Sequence, residues 1–329
     1  KIVTNGPFML ESWRRDELLV LKRKPQYHGR FRGNLARVEI TLFPLATHWS
    51  AKLEMYEAGL LDVVGLPREG IEELDLAPLM LAGEYVVAPL AGTNWLAFGA
   101  SRPPFDDPRV RRAFAQAVDL EAMADIITPG YKSPATGGLV PPGIPGHSPG
   151  IAPPCDPEQA RQLLAEAGYS GGAGLPRLDA LTPRGPGWDR LNEHLRSQWR
   201  ENLGIDIPWQ TMGIAEFLER WWGHRGHLFR NGWVADYPDP DSFLRVFVLS
   251  RLPWRHGRYL ELVEQARWSL DQAQRMELYA QAEQILADEV PILPLYYDFA
   301  HMLVKPWIRG YPISAMQETF WKDVVIEPH

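Results

Sequence analysis

The sequence predicts an α/β protein built from two lobes with mixed sheets. Strand and helix patterns alternate between residues 177 and 235, as they do in an α/β lobe. Strand-rich stretches stand at both ends of the chain, which predicts another lobe assembled from the two termini. We therefore expect residues 1–90 and 300–329 to form part of a first lobe and residues 91–299 to form a second α/β lobe. The chain is expected to cross between the lobes near residues 91–94 and 296–300.

The first ninety or so residues are expected to be strands around one helix. Apolar runs at 8–13 and 18–23, joined by the polar turn RRDE, predict a hairpin. Gly59 is a stop signal for a helix over 49–58. Further strands are expected at 38–43, 61–64, 85–88 and 94–99.

The second lobe has clearer boundary signals. Asp107 and Asp156 each precede a proline and predict helix starts, and Asp271 predicts the start of a helix over 272–287. The loop 128–155, rich in proline and glycine, is long enough to be functional, and we expect it to be ordered against the lobe that contains residues 177–235 instead of being a flexible linker. The other elements are expected as strands at 177–181, 205–210, 228–235, 292–297, 301–304 and 323–326, and as helices at 188–202, 215–222 and 259–270.

Composition excludes several classes of protein. The 329 residues, 45% of them hydrophobic, allow a sizeable core in one large or two ordinary domains. A net charge of -7 argues against a general nucleic-acid binder and against a basic membrane-surface protein. The single Cys155 excludes an internal disulfide and a multi-cysteine metal site. The chain opens with Lys1 and runs directly into TNGPFMLESW, so we expect an N-terminal portion of a longer protein to be missing.

Sequence motifs of catalysis and cofactor binding are absent. There is no GxSxG, no phosphate loop and no HExxH, and the run SGGAG follows a helix end instead of a strand. His224 and His227 lie in the glycine-broken segment GHRGH, where a solvated turn is favoured over a metal site. We expect a protein that is not an enzyme and that has no cofactor and no metal.

The segment GWVADYPDPDSFL places three carboxylates at the end of a predicted strand. Asp239 or Asp241 is expected to cap a helix that begins near Ser242. An oxygen-ligand cation loop and an acid–base pair are weaker alternatives for these carboxylates. Asp236 belongs to the strand end, where ligands of open α/β sheets bind.

Asp236 and Arg230 together favour a zwitterionic ligand. A carboxylate beside Trp233 suits an ammonium group, which takes a charge-assisted hydrogen bond and a cation–π contact. Arg230, six residues before Asp236, offers a bidentate site for a carboxylate. An internal salt bridge or an exposed position is the alternative for Arg230.

The same segment, extended to RNGWVADYPDPDSFL, resembles the family 5 extracellular solute-binding proteins, the peptide-binding subunits of ABC importers. IVTNGPFMLESW, YEAGLLDVV, PFDDPRVRRAFAQAVD, DPEQARQLLAEAGY, WRENLGIDI and MELYAQAEQILADEVPILPLYY are similar to family segments and keep the family order. LVKPWIRGY resembles the oligopeptide-binding branch. The resemblance implies a two-lobed periplasmic-binding-protein-like fold of type II, peptide-binding class, which closes over its ligand about a hinge.

The resemblance also implies a function and a location. It implies a monomer that captures peptides or peptide-like zwitterions and delivers them to an ABC permease, without nucleic acid as a partner of this chain. Such a protein is periplasmic or extracellular, either free or anchored to lipid through the missing N-terminus. The alternative is the ligand-sensing C-terminal domain of a cytoplasmic transcriptional regulator with the same fold.

Individual residues take their expected roles from the resemblance. Asp236 matches the aspartate that holds the peptide's α-amino group, and Arg230 matches an arginine that helps to receive the carboxylate in some members. The backbone of Gly232 and Val234 matches a sheet-like ladder with the peptide, and Trp233 is expected to wall a side-chain pocket. The candidate ligand-binding set is completed by Trp95, Trp221 and Tyr237.

Two features depart from the family pattern. Some members carry a disulfide where this chain has Val234 and Ala91 or a neighbour, so that bridge is excluded here. Trp188 and Trp221 stand where other members have basic residues that read longer peptides. These departures favour a smaller or more apolar ligand.

Overall fold

A computed structural model describes residues 4–44, 47–127, 132–185, 188–250, 252–311, 314–316, 318 and 320–329. The chain forms two compact units, one of Lys1–Ala88 with Ala300–His329 and one of Pro89–Phe299. The strands are β1 (Phe8–Arg14), β2 (Leu18–Arg23), β3 (Arg37–Thr41), β4 (Val63–Gly65), β5 (Tyr85–Phe98), β6 (Lys132–Pro134), β7 (Ala180–Pro183), β8 (Trp209–Met212), β9 (Leu228–Val234), β10 (Ile292–Val304), β11 (Ile308–Arg309) and β12 (Val325–Ile326). The helices are α1 (Trp49–Glu57), α2 (Arg68–Glu73), α3 (Leu76–Leu81), α4 (Pro108–Gln116), α5 (Leu120–Ile127), α6 (Pro157–Glu166), α7 (Trp188–Leu203), α8 (Ile214–Trp222), α9 (Asp241–Ser250), α10 (Gly257–Trp268) and α11 (Gln272–Glu289).

The unit built from the two chain ends contains an antiparallel sheet in the order β1-β2-β3. β4 pairs antiparallel with the end of β10, and β11 pairs with β12. Tyr56 is buried, and its hydroxyl donates to a carboxylate oxygen of Glu84 at 2.5 Å. The ammonium of Lys305 lies 3.9 Å from the centre of the Tyr56 ring. Residues from both chain ends therefore share one packed cluster in this unit.

The other unit, Pro89–Phe299, is the central unit, and it is built on a mixed sheet. β5 runs antiparallel to β9, and β7 runs parallel to both β8 and β9. Aromatic rings form a continuous core from this sheet to the helices, with centroid distances of 5.1 Å from Phe98 to Phe105, 5.1 Å from Phe105 to Phe114 and 5.5 Å from Phe114 to Trp199. This core fixes the position of the sheet whose strand ends carry the predicted ligand-binding residues.

Several predicted elements differ from the structure. The predicted strands 85–88 and 94–99 are one strand, β5, and 292–297 and 301–304 are also one strand, β10. Pro89 and Gly92 weaken strand propensity in β5, but pairing with β9 and β10 on its two sides overrides it. The strands predicted from residues 177 and 205 begin only at Ala180 and Trp209, where the parallel pairing of β7 with β8 starts. The short helices α2, α3 and α5 were not predicted, and the strand predicted over 323–326 is reduced to β12.

The proline-rich loop packs against the central unit; its residues 128–131 lie outside the described ones. Leu139, Val140 and Ile144 are each at most 3% exposed. Thr93 on β5 donates its hydroxyl to the carbonyl of Leu139 at 2.9 Å, and Tyr297 on β10 donates to that of Gly138 at 2.7 Å. These contacts attach the loop to β5 and β10 within the unit Pro89–Phe299, which also contains residues 177–235, as predicted.

Glu283 on α11 is the buried carboxyl group that holds the same loop. It is 1% exposed, and its Oε1 accepts the N–H of Val140 at 2.8 Å. Burial raises the pKa of Glu283 to about 7, because hydrogen bonds from Ser148, Val140 and Leu139 only partly offset the loss of water.

This raised pKa predicts a pH-dependent stability. The unfolded carboxyl ionises near pH ~4.3 but the folded one only near 7, so the free energy of unfolding should fall by roughly 3 kcal/mol as the pH rises between those values. Glu283→Gln should remove this part of the slope. Urea unfolding at a series of pH values measures it, and equal slopes for parent and variant would contradict the assignment.

Candidate functional site

β9 is paired on one side along its whole length and on the other side only at its start. The ladder to β5 runs from Leu228 opposite Phe98 to Val234 opposite Gly92. The parallel pairing with β7 stops at Phe229. Pro183, the last residue of β7, has no N–H with which to continue a ladder. Residues 230–234 thus keep an edge that no strand in the described part of the chain covers, and such an edge can accept an extended peptide.

The backbone groups of Gly232 and Val234 point toward this open edge. The N–H of Ala235 donates to the carbonyl of Ala91 on β5 at 2.8 Å, so the residues that alternate with Ala235 face β5. Gly232 and Val234 therefore turn their N–H and C=O groups away from β5. The side-chain oxygen of Asn231 accepts the N–H of Gly232 at 2.9 Å.

Asp236 lies just beyond the strand, and its side chain is exposed. Its backbone N–H donates to Oγ of Ser242 at 3.0 Å, whereas its carboxylate makes no hydrogen bond or ion pair to the residues described here. A carboxylate in this state, at the end of an open strand edge, can receive a charge-assisted hydrogen bond from a ligand cation.

The carboxylates of Asp239 and Asp241 make hydrogen bonds and ion pairs that stabilise the fold. The carboxylate of Asp239 accepts the N–H of Asp241 at 2.9 Å, which confirms the prediction that it caps the helix, and it binds both terminal nitrogens of Arg275 at 2.5 and 2.7 Å. Asp241 is 7% exposed and accepts from Arg245 at 2.7 Å and from Tyr237 at 2.7 Å. Since arginines already occupy both carboxylates, neither the cation loop nor the acid–base pair fits.

The same contacts set the ionisation of Asp241 and the position of Tyr237. Burial acts to raise the pKa of Asp241, but hydrogen bonds from Arg245 and Tyr237 outweigh it and hold that pKa below the ordinary value. The hydroxyl of Tyr237 donates to Asp241 and accepts from Arg245 at 3.0 Å. Tyr237 therefore stabilises the corner of the chain that runs from Asp236 to Asp241, between β9 and α9.

Arg230 is enclosed in the central unit. It is 1% exposed, its guanidinium carbon lies 4.3 Å from the centre of the Trp188 ring, and one terminal nitrogen donates to Thr182 at 3.4 Å. Burial lowers the pKa of Arg230, and Tyr296 acts in the opposite direction. Among the described residues Arg230 makes no ion pair, although the charge of Asp189 also acts to raise its pKa, and Nε has no hydrogen-bond partner among them. The alternative that Arg230 is exposed is therefore wrong.

The aromatic candidates fall into two groups. Trp95 and Trp221 are 2% and 7% exposed, and their ring centres lie 5.4 Å apart, with Phe229 a further 4.9 Å from Trp221. Trp233 is half-buried and donates its Nε1–H to Oγ of Ser242 at 3.4 Å. The structure thus brings Trp233, Gly232, Val234 and Asp236 together, while Trp95 and Trp221 form a separate buried cluster.

Comparison with known protein families identifies the family of this chain. Residues 1–251 match the model of the bacterial extracellular solute-binding proteins, family 5 Middle. The chain belongs to this family. Its two-lobed architecture and mixed α/β sheets agree with the fold that the sequence predicted.

Individual relatives are binding proteins. The periplasmic oligopeptide-binding protein OppA of Salmonella typhimurium is 30% identical over 100% of this chain and 61% of its own length. The probable deoxycholate-binding periplasmic protein YgiS of Escherichia coli is 29% identical over 100% of this chain and 62% of its own length. The unliganded open form of MppA, a periplasmic murein tripeptide binding protein, matches with a TM-score of 0.83 and 26% identity over 99% of this chain and 64% of that one. This family 5 chain therefore spans about three fifths of the length of its relatives.

Other candidate groups carry no site. The described residues contain no cluster of three or more His, Cys, Asp and Glu side chains arranged to hold a metal. His227 accepts the N–H of Asp179 at 3.1 Å, and His224 lies in a turn with a positive φ of 52°. Cys155 is free and exposed. Val234 lies directly opposite Gly92, the residue next to Ala91 on β5. None of the helices described for this chain has the length and apolarity to cross a bilayer.

Proposed function

We propose that the protein containing this chain is the solute-binding component of an ABC importer, and that it captures short peptides or peptide-like zwitterions for the permease. The observation that carries the proposal is the open edge of β9, with the unpartnered carboxylate of Asp236 at its end. A peptide on this edge would exchange backbone hydrogen bonds with Gly232 and Val234 and place its ammonium at Asp236.

Arg230 supports a ligand that also carries a negative charge. Leaving a guanidinium buried without an ion-pair partner is energetically costly. A ligand carboxylate that reaches Arg230 would remove this cost, and Trp188 must move to admit it because Arg230 is 1% exposed. Six residues of a strand span about 20 Å, so one extended ligand of several residues could place its ends near Asp236 and Arg230.

The proposal includes a place and a mode of action. The protein works outside the cytoplasm, free or anchored to lipid, as a monomer that binds without catalysis. The relatives described above are named as binding proteins, two of them periplasmic oligopeptide or tripeptide binders. No observation favours the regulator alternative.

An amphipathic monoacid is the second candidate ligand. Arg230 beneath the Trp188 ring suits a carboxylate on an apolar skeleton, and the relative YgiS is named for probable deoxycholate binding. Such a ligand has no ammonium group and needs no contribution from Asp236.

Titration calorimetry on the intact polypeptide that carries this chain tests the proposal. The panel holds a tripeptide with free ends, its N-acetylated form, its C-terminal amide and deoxycholate. We expect the free tripeptide to bind, with N-acetylation weakening it at least about tenfold through loss of the charge-assisted contact. Binding of deoxycholate alone would favour the second candidate, and binding of none would refute both.

A further inference from the structure

The hydroxyl of Ser242 connects the backbone of Asp236 to the side chain of Trp233. Its Oγ accepts the backbone N–H of Asp236 at 3.0 Å and the indole N–H of Trp233 at 3.4 Å. A serine oxygen has two acceptor lone pairs, so these two donors saturate it. Ser242 is fully buried, at 0% exposure.

We infer that Ser242 is a positioning residue for ligand binding, which sets the orientation of Asp236 and Trp233 together. The inference rests on the proposed function. A serine in the first turn of a helix ordinarily serves that helix, by accepting one of its free N–H groups. Here both donors come from the β9 corner, outside α9, so the hydroxyl holds the binding segment and not its own helix.

Helix α9 gives this hydroxyl a fixed position. The neighbouring residue Asp241 is held by Arg245 and by two tyrosine hydroxyls, from Tyr237 at 2.7 Å and Tyr279 at 3.2 Å. Asp239, at the start of the helix, is bound by both terminal nitrogens of Arg275. Because the first turn is anchored from several directions, Ser242 can transmit a defined geometry to the corner instead of following it.

Removal of the hydroxyl has a distinctive expected effect. Ser242→Ala leaves the backbone N–H of Asp236 and the indole N–H of Trp233 without their acceptor, so the backbone that carries the Asp236 carboxylate and the Trp233 ring lose their fixed positions. We expect the affinity for a free-amine tripeptide to fall about tenfold. The affinity for the N-acetylated tripeptide, which does not use Asp236, should change about twofold or less. The ratio of the two affinities should therefore shrink.

A matched control separates this effect from simple loss of stability. The hydroxyl of Tyr259 is equally buried and donates to the carbonyl of Leu244 on the same helix at 2.8 Å. Tyr259→Phe removes one buried hydrogen bond from α9 but touches neither Asp236 nor Trp233. It should lower the melting temperature and leave the ratio of affinities unchanged. Ser242→Thr restores the acceptor oxygen and should recover most of the ratio.

The experiment is titration calorimetry of free and N-acetylated tripeptide against the intact polypeptide and the three variants. An unchanged ratio in Ser242→Ala, with a parent that discriminates the two peptides, would overturn the inference and leave the proposed function standing. A parent that does not discriminate them would instead overturn the proposed function. If Ser242→Ala does not fold, hydrogen exchange in the parent decides: slow exchange of the Trp233 indole and the Asp236 amide supports the inference, and fast exchange of either overturns it.

Discussion

Replacing Asp236 with Asn is expected to weaken binding of a free-amine tripeptide by about 30-fold to several thousand-fold. The substitution keeps the shape of the side chain but removes the charge, and loss of one partner of a desolvated, hydrogen-bonded charge pair costs roughly 2–5 kcal/mol. The carboxylate of Asp236 is exposed and makes no hydrogen bond or ion pair with the described residues, so the stability of the fold should not change. Titration calorimetry and thermal unfolding measure the two effects separately.

The neighbouring carboxylates supply the control for Asp236. Asp239→Asn keeps an acceptor for the cap of α9 but should weaken the pairing with Arg275, which lowers stability, and should hardly change ligand affinity. A general effect of negative charge at the corner would weaken binding in both variants alike. If Asp236→Asn binds as tightly as the parent, the proposed amino-group role is wrong.

Replacing Asp241 with Ala is expected to lower the free energy of unfolding by about 3 kcal/mol. The substitution leaves the Arg245 guanidinium and the hydroxyls of Tyr237 and Tyr279 without their shared acceptor in a largely buried place. Urea unfolding of Asp241→Ala, Arg245→Met and the double variant measures the coupling. If the losses of stability in the two single variants add up to the loss in the double variant, the pairing of Asp241 with Arg245 contributes nothing to stability.

The pH dependence of this contribution has a definite sign. The pKa of Asp241 is depressed in the folded state, so its stabilisation is present above the unfolded pKa of about 3.9 and is lost as the pH falls through the folded value. The Glu283 carboxyl on α11 has a raised pKa and contributes in the opposite direction, between about pH 4.3 and 7. The free energy of unfolding of Asp241→Ala and that of Glu283→Gln, measured against pH, should therefore differ in slope from the parent in separate pH ranges.

Local signals in the sequence were enough to locate three of the helix starts. Asp107, Asp156 and Asp271 were predicted to begin helices, and each accepts an N–H of the first turn, at 2.8, 2.9 and 3.0 Å. Capping depends on residues two or three positions apart, which a sequence displays directly. The continuity of β5 and β10 was missed because it depends on pairing between strands that are distant in the chain.

The candidate site was only partly predictable for the same reason. Resemblance to the family located Asp236, Gly232 and Val234, and the alternation of strand backbone groups then explains their direction. The burial of Arg230 and the tilted contact between the rings of Trp95 and Trp221 depend on contacts between separate elements. Ser242 gave no signal in the sequence, because a serine early in a helix is expected on capping grounds alone.

The most direct measurement is a crystal structure of the intact polypeptide with a bound tripeptide. The account predicts that the peptide lies along the open edge of β9, paired with the backbone of Gly232 and Val234, with its amino nitrogen about 3 Å from the carboxylate of Asp236. A ligand bound elsewhere, or an amino group that points away from Asp236 while the edge of β9 stays unpaired, would contradict it.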